Sequence, residues 1–142
     1  MVFSCCVARD DKPDEATAAW LRRLSELRVG ALQLEDGRAL SYHVDGDLGA
    51  GLPAVLLLHG MLSSRLLFVP ETRPSDCVLV VPDRPGYGGS DAPRPGAGYA
   101  QLAADLKALM DALRISRCVV AGHSSGGPCA LGVASVLCPA RV

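Results

Sequence analysis

The sequence predicts an α/β fold in which a β-hairpin leads into a mostly parallel sheet with flanking helices. Three observations carry this. "AVLLLHG", "CVLVVPDRPG" and "RCVVAG" are continuous apolar runs of the kind buried on both faces of a parallel sheet. Two shorter apolar-rich runs in "ALQLEDGRALSYHV" flank Asp36-Gly37, the strongest short-range hairpin signal. Helical periodicity fills the stretch before the last run and follows it again, and such alternation defines the class.

Taken in order, "DEATAAWLRRLSEL" after Pro13 places Trp20, Leu24 and Leu27 at i, i+4 and i+7, with Leu21 beside them. Acidic residues open it and Arg28 lies near its end, so an amphipathic helix closed by Gly30 is expected. The hairpin comes next, then a loop from Gly46 to Pro53 and the first buried strand. The second buried strand runs out into a Pro/Gly-rich loop reaching Pro95. Tyr99, Leu102, Leu106, Leu109, Met110 and Leu113 then share one helical stripe over residues 99–113. "RCVVAG" reads as a third buried strand, and a helix of small residues follows from about Ser125 to Leu137. No internal repeat or low-complexity tract interrupts this order. Residues 1–30 therefore form an N-terminal segment with its own helix, and residues 31–142 form the α/β unit.

A chain of 142 residues has the length of one ordinary domain, and 49% hydrophobic content with a mean hydropathy of +0.25 supports a core. Fourteen basic against fifteen acidic residues give a net charge of −1, which offers no electrostatic footing for nucleic acid or an anionic membrane. The six cysteines include no CxxC pair and no zinc-ligand spacing with histidine. Scattered through apolar runs, they behave as small hydrophobes of a reducing, cytoplasmic compartment. "MVFSCCVARDDKPDEA" is neither a secretory signal nor a mitochondrial presequence, because acidic residues begin at Asp10. Palmitate on Cys5 or Cys6 would lack a second anchoring signal. No apolar run is long enough to span a membrane. Gly86, Gly88 and Gly89 miss G-x-G-x-x-G at Asp91, and no Walker A sequence occurs, so no nucleotide cofactor is expected.

Gly122-His123-Ser124-Ser125-Gly126 matches G-x-S-x-G between a strand and a helix. A strand that turns straight into a helix strains the backbone at the serine and crowds its neighbours, which the two glycines relieve. The Ser124 hydroxyl is left exposed above the positive end of the new helix. The backbone N–H of Ser125 points to where an oxyanion would form. "HGM" at residues 59–61 ends an apolar strand, where a second oxyanion donor belongs.

"LLLHGMLSS", "VVPDRPGYGGSDAP" and "VVAGHSSGGPCAL" together resemble the first half of the α/β-hydrolase fold, in the esterase, lipase and epoxide-hydrolase-like group. The resemblance runs from about residue 31 onward. It implies Ser124 as nucleophile, the backbone N–H groups of Met61 and Ser125 as oxyanion hole, and a small ester-like substrate. A serine at 124 speaks against dehalogenase or epoxide-hydrolase chemistry, for which the family places an aspartate there. His123 next to the nucleophile, His59 in its turn and His43 in the hairpin, where a surface place is expected, are structural residues on this reading. Asp83 ties down its loop through backbone N–H groups.

The family's order is Ser, then Asp or Glu, then His, and no residue after Ser124 is any of these. Two expectations follow. One is the N-terminal half of a serine hydrolase, with the later strands and cap absent and the chain inactive by itself. The other is a non-catalytic, hydrolase-like module that binds a ligand or partner. On either, "RCVVAG" becomes an apolar sheet edge through which copies of the chain could associate.

Overall fold

The computed structural model describes residues 13–70 and 72–137; Cys5 and Cys6 lie outside them. Helix α1 (Glu15–Glu26) starts where the Asp14 carboxylate accepts the Thr17 N–H at 2.7 Å, an N-cap that satisfies one of the otherwise orphan donors. Gly30 does not close it. The helix ends at Leu27, and Gly30 sits inside strand β1 (Arg28–Gln33), opposite Tyr42 of β2 (Ala39–Asp45). The Tyr42 ring lies over Gly30 where any side chain would collide, so the glycine serves a cross-strand contact. The expected division after residue 30 therefore cuts through β1. The hairpin itself stands as expected, with Gly37 at a φ of +86° in the turn.

Three further strands, β3 (Ala54–Leu58), β4 (Val78–Pro82) and β5 (Cys118–Gly122), complete one sheet of order β1-β2-β4-β3-β5. β2 pairs antiparallel with both β1 and β4, whereas β3 runs parallel to β4 and β5. Helices α2 (Tyr99–Ala112) and α3 (Gly126–Val136) pack on one face. There Leu40, Val44, Leu56, Leu58, Val78 and Val80 meet Leu102, Leu106, Leu109, Met110, Ala130 and Val133 in the main core. Arg38 pins the hairpin to α2 by a fork of two bonds, 2.7 and 2.9 Å, to the Asp105 carboxylate.

Strand alternation puts Ser41, His43 and Asp45 on the other face. Arg23 of α1 reaches Asp45 there at 2.6 Å. His43 is fully buried, not at the surface, because β2 lies between two strands and its polar face is covered. Neither ring nitrogen has a hydrogen-bond partner among the described residues. Burial, reinforced by the charge of Arg65 and opposed by Asp45 and Asp83, lowers its pKa from 6.5 to about 4. A folded state that binds this proton less readily than the unfolded chain keeps the His43 contribution above the unfolded value. It loses that contribution as pH falls from there towards the folded value. Urea melts of wild type and His43→Leu should diverge accordingly between pH 7.5 and pH 4.5, the variant losing less. A pH-independent difference would refute this account.

β5 also departs from expectation. It is buried at Cys118 but not throughout, and Val119 is 58% exposed. Among the described strands only β3 pairs with it, which places it at the sheet edge as expected.

Candidate functional site

The tight passage from β5 to α3 is built by the two motif glycines. A Cβ on Gly122 would run into the carbonyl of Gly126, and a Cβ on Gly126 would run into the Leu58 carbonyl of β3. Only glycine lets the three backbones approach so closely. The turn is closed by the Gly126 N–H to the His123 carbonyl at 2.8 Å and the Gly127 N–H to the Ser124 carbonyl at 2.9 Å. His123 N–H donates to Leu58 O at 3.0 Å and extends the sheet register by one residue. Between these constraints Ser124 takes a φ of +52°, the left-handed region that costs a residue with a side chain of order 1–3 kcal/mol. Its side chain is exposed at the start of α3. Ser125 follows as the N-cap at a φ of −63°, and its N–H has no acceptor among the described residues.

The turn after β3 comes up against this corner. A Cβ on Gly60 would stand 3.1 Å from the Ser124 Cβ, so "HG" and the serine turn touch. Met61, 66% exposed, follows Gly60, and its N–H likewise finds no acceptor among the described residues.

A network behind the turn fixes the plane of the Gly60–Met61 peptide. The Arg84 backbone N–H donates to His59 Nε2 at 2.9 Å, which leaves the proton on Nδ1. His59 Nδ1–H then donates to the Gly60 carbonyl at 2.8 Å, and Arg84 Nη2 donates to the same oxygen at 2.9 Å. With its C=O held from one side, this peptide must aim its N–H, that of Met61, to the other. A cationic donor on the carbonyl also polarises the N–H beyond it. Arg84 Nη2 lies 3.3 Å from Ser125 Oγ as well, so one guanidinium spans both turns. Burial is the largest influence on His59 and lowers its pKa, which keeps this imidazole neutral.

His59 thus has both nitrogens occupied, as its structural assignment requires. Asp83 is fully buried and accepts the Gly89 N–H at 2.9 Å and the Arg65 N–H at 2.7 Å. An ion pair to the Arg65 guanidinium adds to these, a partner that the sequence pattern does not suggest. His123 faces Phe68 edge-on at 6.4 Å between ring centroids and makes no hydrogen bond to Ser124. His43 is sealed in the sheet. Among the described residues no three of His, Cys, Asp and Glu gather as metal ligands, and no helix is long and apolar enough to cross a membrane.

Arg84 is a site residue that the sequence does not reveal. An arginine following the loop aspartate carries no periodicity or spacing signal, and only the folded geometry brings it under two turns.

Residues 53–142 match the family described as alpha/beta hydrolase fold. The chain is 38% identical over 99 residues to mouse sn-1-specific diacylglycerol lipase ABHD11, covering 65% of this chain and 31% of that protein. It is 37% identical over 92 residues to mouse epoxide hydrolase 4, covering 62% of this chain and 26% of that one. The chain therefore spans about a third or less of the curated relatives it matches. Among solved structures it resembles a hydrolase from Pseudomonas aeruginosa PA01 with a TM-score of 0.69 at 26% identity, over 80% of this chain and 43% of that one.

Proposed function

The chain belongs to the α/β-hydrolase fold family, and from that premise we propose that it carries the nucleophile and oxyanion hole of a serine acyl hydrolase. Ser124 Oγ attacks the carbonyl carbon of a small ester and its proton passes to a base. The Met61 and Ser125 N–H groups receive the oxyanion, the alcohol leaves, and water releases the acid from the acyl-serine. The observation that carries this reading is the left-handed, exposed Ser124, packed against the Gly60 turn, with the Met61 and Ser125 N–H groups lacking an acceptor among the described residues. The similarity to a diacylglycerol lipase agrees with ester chemistry, and a serine at 124 does not suit an epoxide-opening aspartate.

Base and acid have to come from outside these 142 residues, because the sequence after Ser124 holds no His, Asp or Glu. In this reading the chain alone is inactive, and it works in a reducing, cytoplasmic setting, in keeping with Cys77, Cys118 and Cys129 being outside any disulfide among the described residues. The bare flank of β5 offers a pairing edge to a second copy. The missing base also favours a second reading, a hydrolase-like module that binds without turnover.

A fluorophosphonate probe separates the two. Ser124 should label slowly in the chain alone and faster as free-base imidazole is added, because the exposed hydroxyl lacks only proton removal. Labelling that ignores imidazole, or that persists in Ser124→Ala, would remove the nucleophile assignment.

A further inference from the structure

Beneath the two turns, on the helix side of Arg84, lies a cleft of about 310 Å³. Its walls include Arg84, Tyr87, Pro93, Tyr99, Leu102 and Cys129, and Ser124 is not among them. The volume sits at the lower end of small-ligand pockets, roughly 300–1,000 Å³, and aromatic and aliphatic walls with one convergent charge are their usual make-up.

The charge is what makes this cleft unusual in the molecule. Each of the other arginines drawn into the fold has a carboxylate: Arg23 has Asp45, Arg38 has Asp105 and Arg65 has Asp83. Arg84 is half-buried and has no carboxylate within 4.0 Å among the described residues. Its side-chain bonds all go to neutral acceptors: the Gly60 carbonyl at 2.9 Å, Ser125 Oγ at 3.3 Å and Cys129 Sγ at 3.2 Å. Nε is buried with no hydrogen-bond partner among the described residues. The Tyr87 ring, 4.7 Å from the guanidinium carbon, adds only a quadrupole. Sulfur is a weak acceptor, so Nη1, the nitrogen bonded to Cys129 on the cleft wall, is the least satisfied of the occupied donors.

We propose that this cleft is a binding site for a small monocarboxylate with a short aliphatic or aryl body. The carboxylate displaces the Cys129 sulfur from Arg84 Nη1 and supplies the missing counter-charge, a charge-assisted bond in a partly desolvated place. The body lies against Tyr87, Pro93, Tyr99 and Leu102. The same guanidinium holds the Gly60 carbonyl from Nη2, so occupancy of the cleft reports on the turn that presents Met61 N–H. The site is separate from Ser124 and stands whether or not Ser124 is a nucleophile.

Phenylacetate and its uncharged amide, phenylacetamide, decide the matter when titrated into the chain and followed by backbone amide NMR. Phenylacetate should give saturable shifts centred on Tyr87, Tyr99 and Cys129, and the amide should bind at least about tenfold more weakly. Arg84→Gln should abolish that preference and Arg84→Lys should keep part of it, with spectral dispersion as the check on folding. Ser124→Ala should bind phenylacetate unchanged, which separates this site from the hydrolase reading. Equal affinity for acid and amide, shifts centred elsewhere, or no saturation within the solubility of the probe would each overturn the proposal. The wild-type pair suffices if an Arg84 variant fails to fold.

Discussion

Incubated with short acyl esters, the chain should hydrolyse them no faster than its Ser124→Ala variant. Each of its three histidines is unable to serve as the base for a separate reason. His59 has both ring nitrogens bonded, His43 is sealed beneath the sheet, and His123 turns to Phe68. A serine hydroxyl without a base is an ordinary alcohol, and loss of the base in a comparable site costs about 10⁶ in kcat. Oxyanion stabilisation alone leaves a residual enhancement too small to separate from background in a routine esterase assay. Saturable, Ser124-dependent turnover in initial-rate measurements would refute the prediction and point to His123 or a second chain as the base.

Gly126→Val should be among the most destabilising single changes in the motif. The new side chain would be driven into the Leu58 carbonyl, and this is backbone of a strand paired on both sides. Overpacking typically costs about 1–3 kcal/mol where side chains can yield. Here nothing yields without moving β3, so the cost should reach a large part of the roughly 5–15 kcal/mol that holds a domain together. Gly127→Ala is the matched control. It lies one residue along, and its nearest neighbour to an added Cβ is the Gly122 carbonyl at 3.9 Å. Within a helix it should be neutral or stabilising by up to about 1 kcal/mol. Chemical melts of the two variants with similar midpoints would contradict the packing account of the motif.

Much of this architecture is legible in the residues. The strands are, because β3 and β4 alternate little and bury most of what they carry, and so is the tight turn at Ser124, because G-x-S-x-G falls between an apolar strand and a helix. What fails has a physical cause in each case. Gly30 looks like a helix stop, and its cross-strand partner Tyr42 cannot be known before pairing is known. His43 looks like a surface residue because hairpins often face water, whereas β4 returns to cover β2 on its far side. "RCVVAG" looks buried on both faces by its apolarity, whereas Val119 is exposed; its place at the sheet edge is as expected. Arg84 is invisible in sequence because its role depends on where three separate loops come together.

The parallel pairing of β5 with β3 also sets an order of events during synthesis. Residues 54–58 leave the ribosome long before residues 118–122 exist to pair with them. In the interval β3 can pair only with β4, and its apolar edge waits unpaired. Contacts so distant along the chain close slowly, and exposed strand edges are where nascent chains go astray. The left-handed turn at Ser124 depends on Leu58 taking both the His123 N–H and the close approach of Gly126. The exposed serine therefore forms only after β3 and β4 are in place, and a chaperone that holds β3 open would hold back the site together with the sheet.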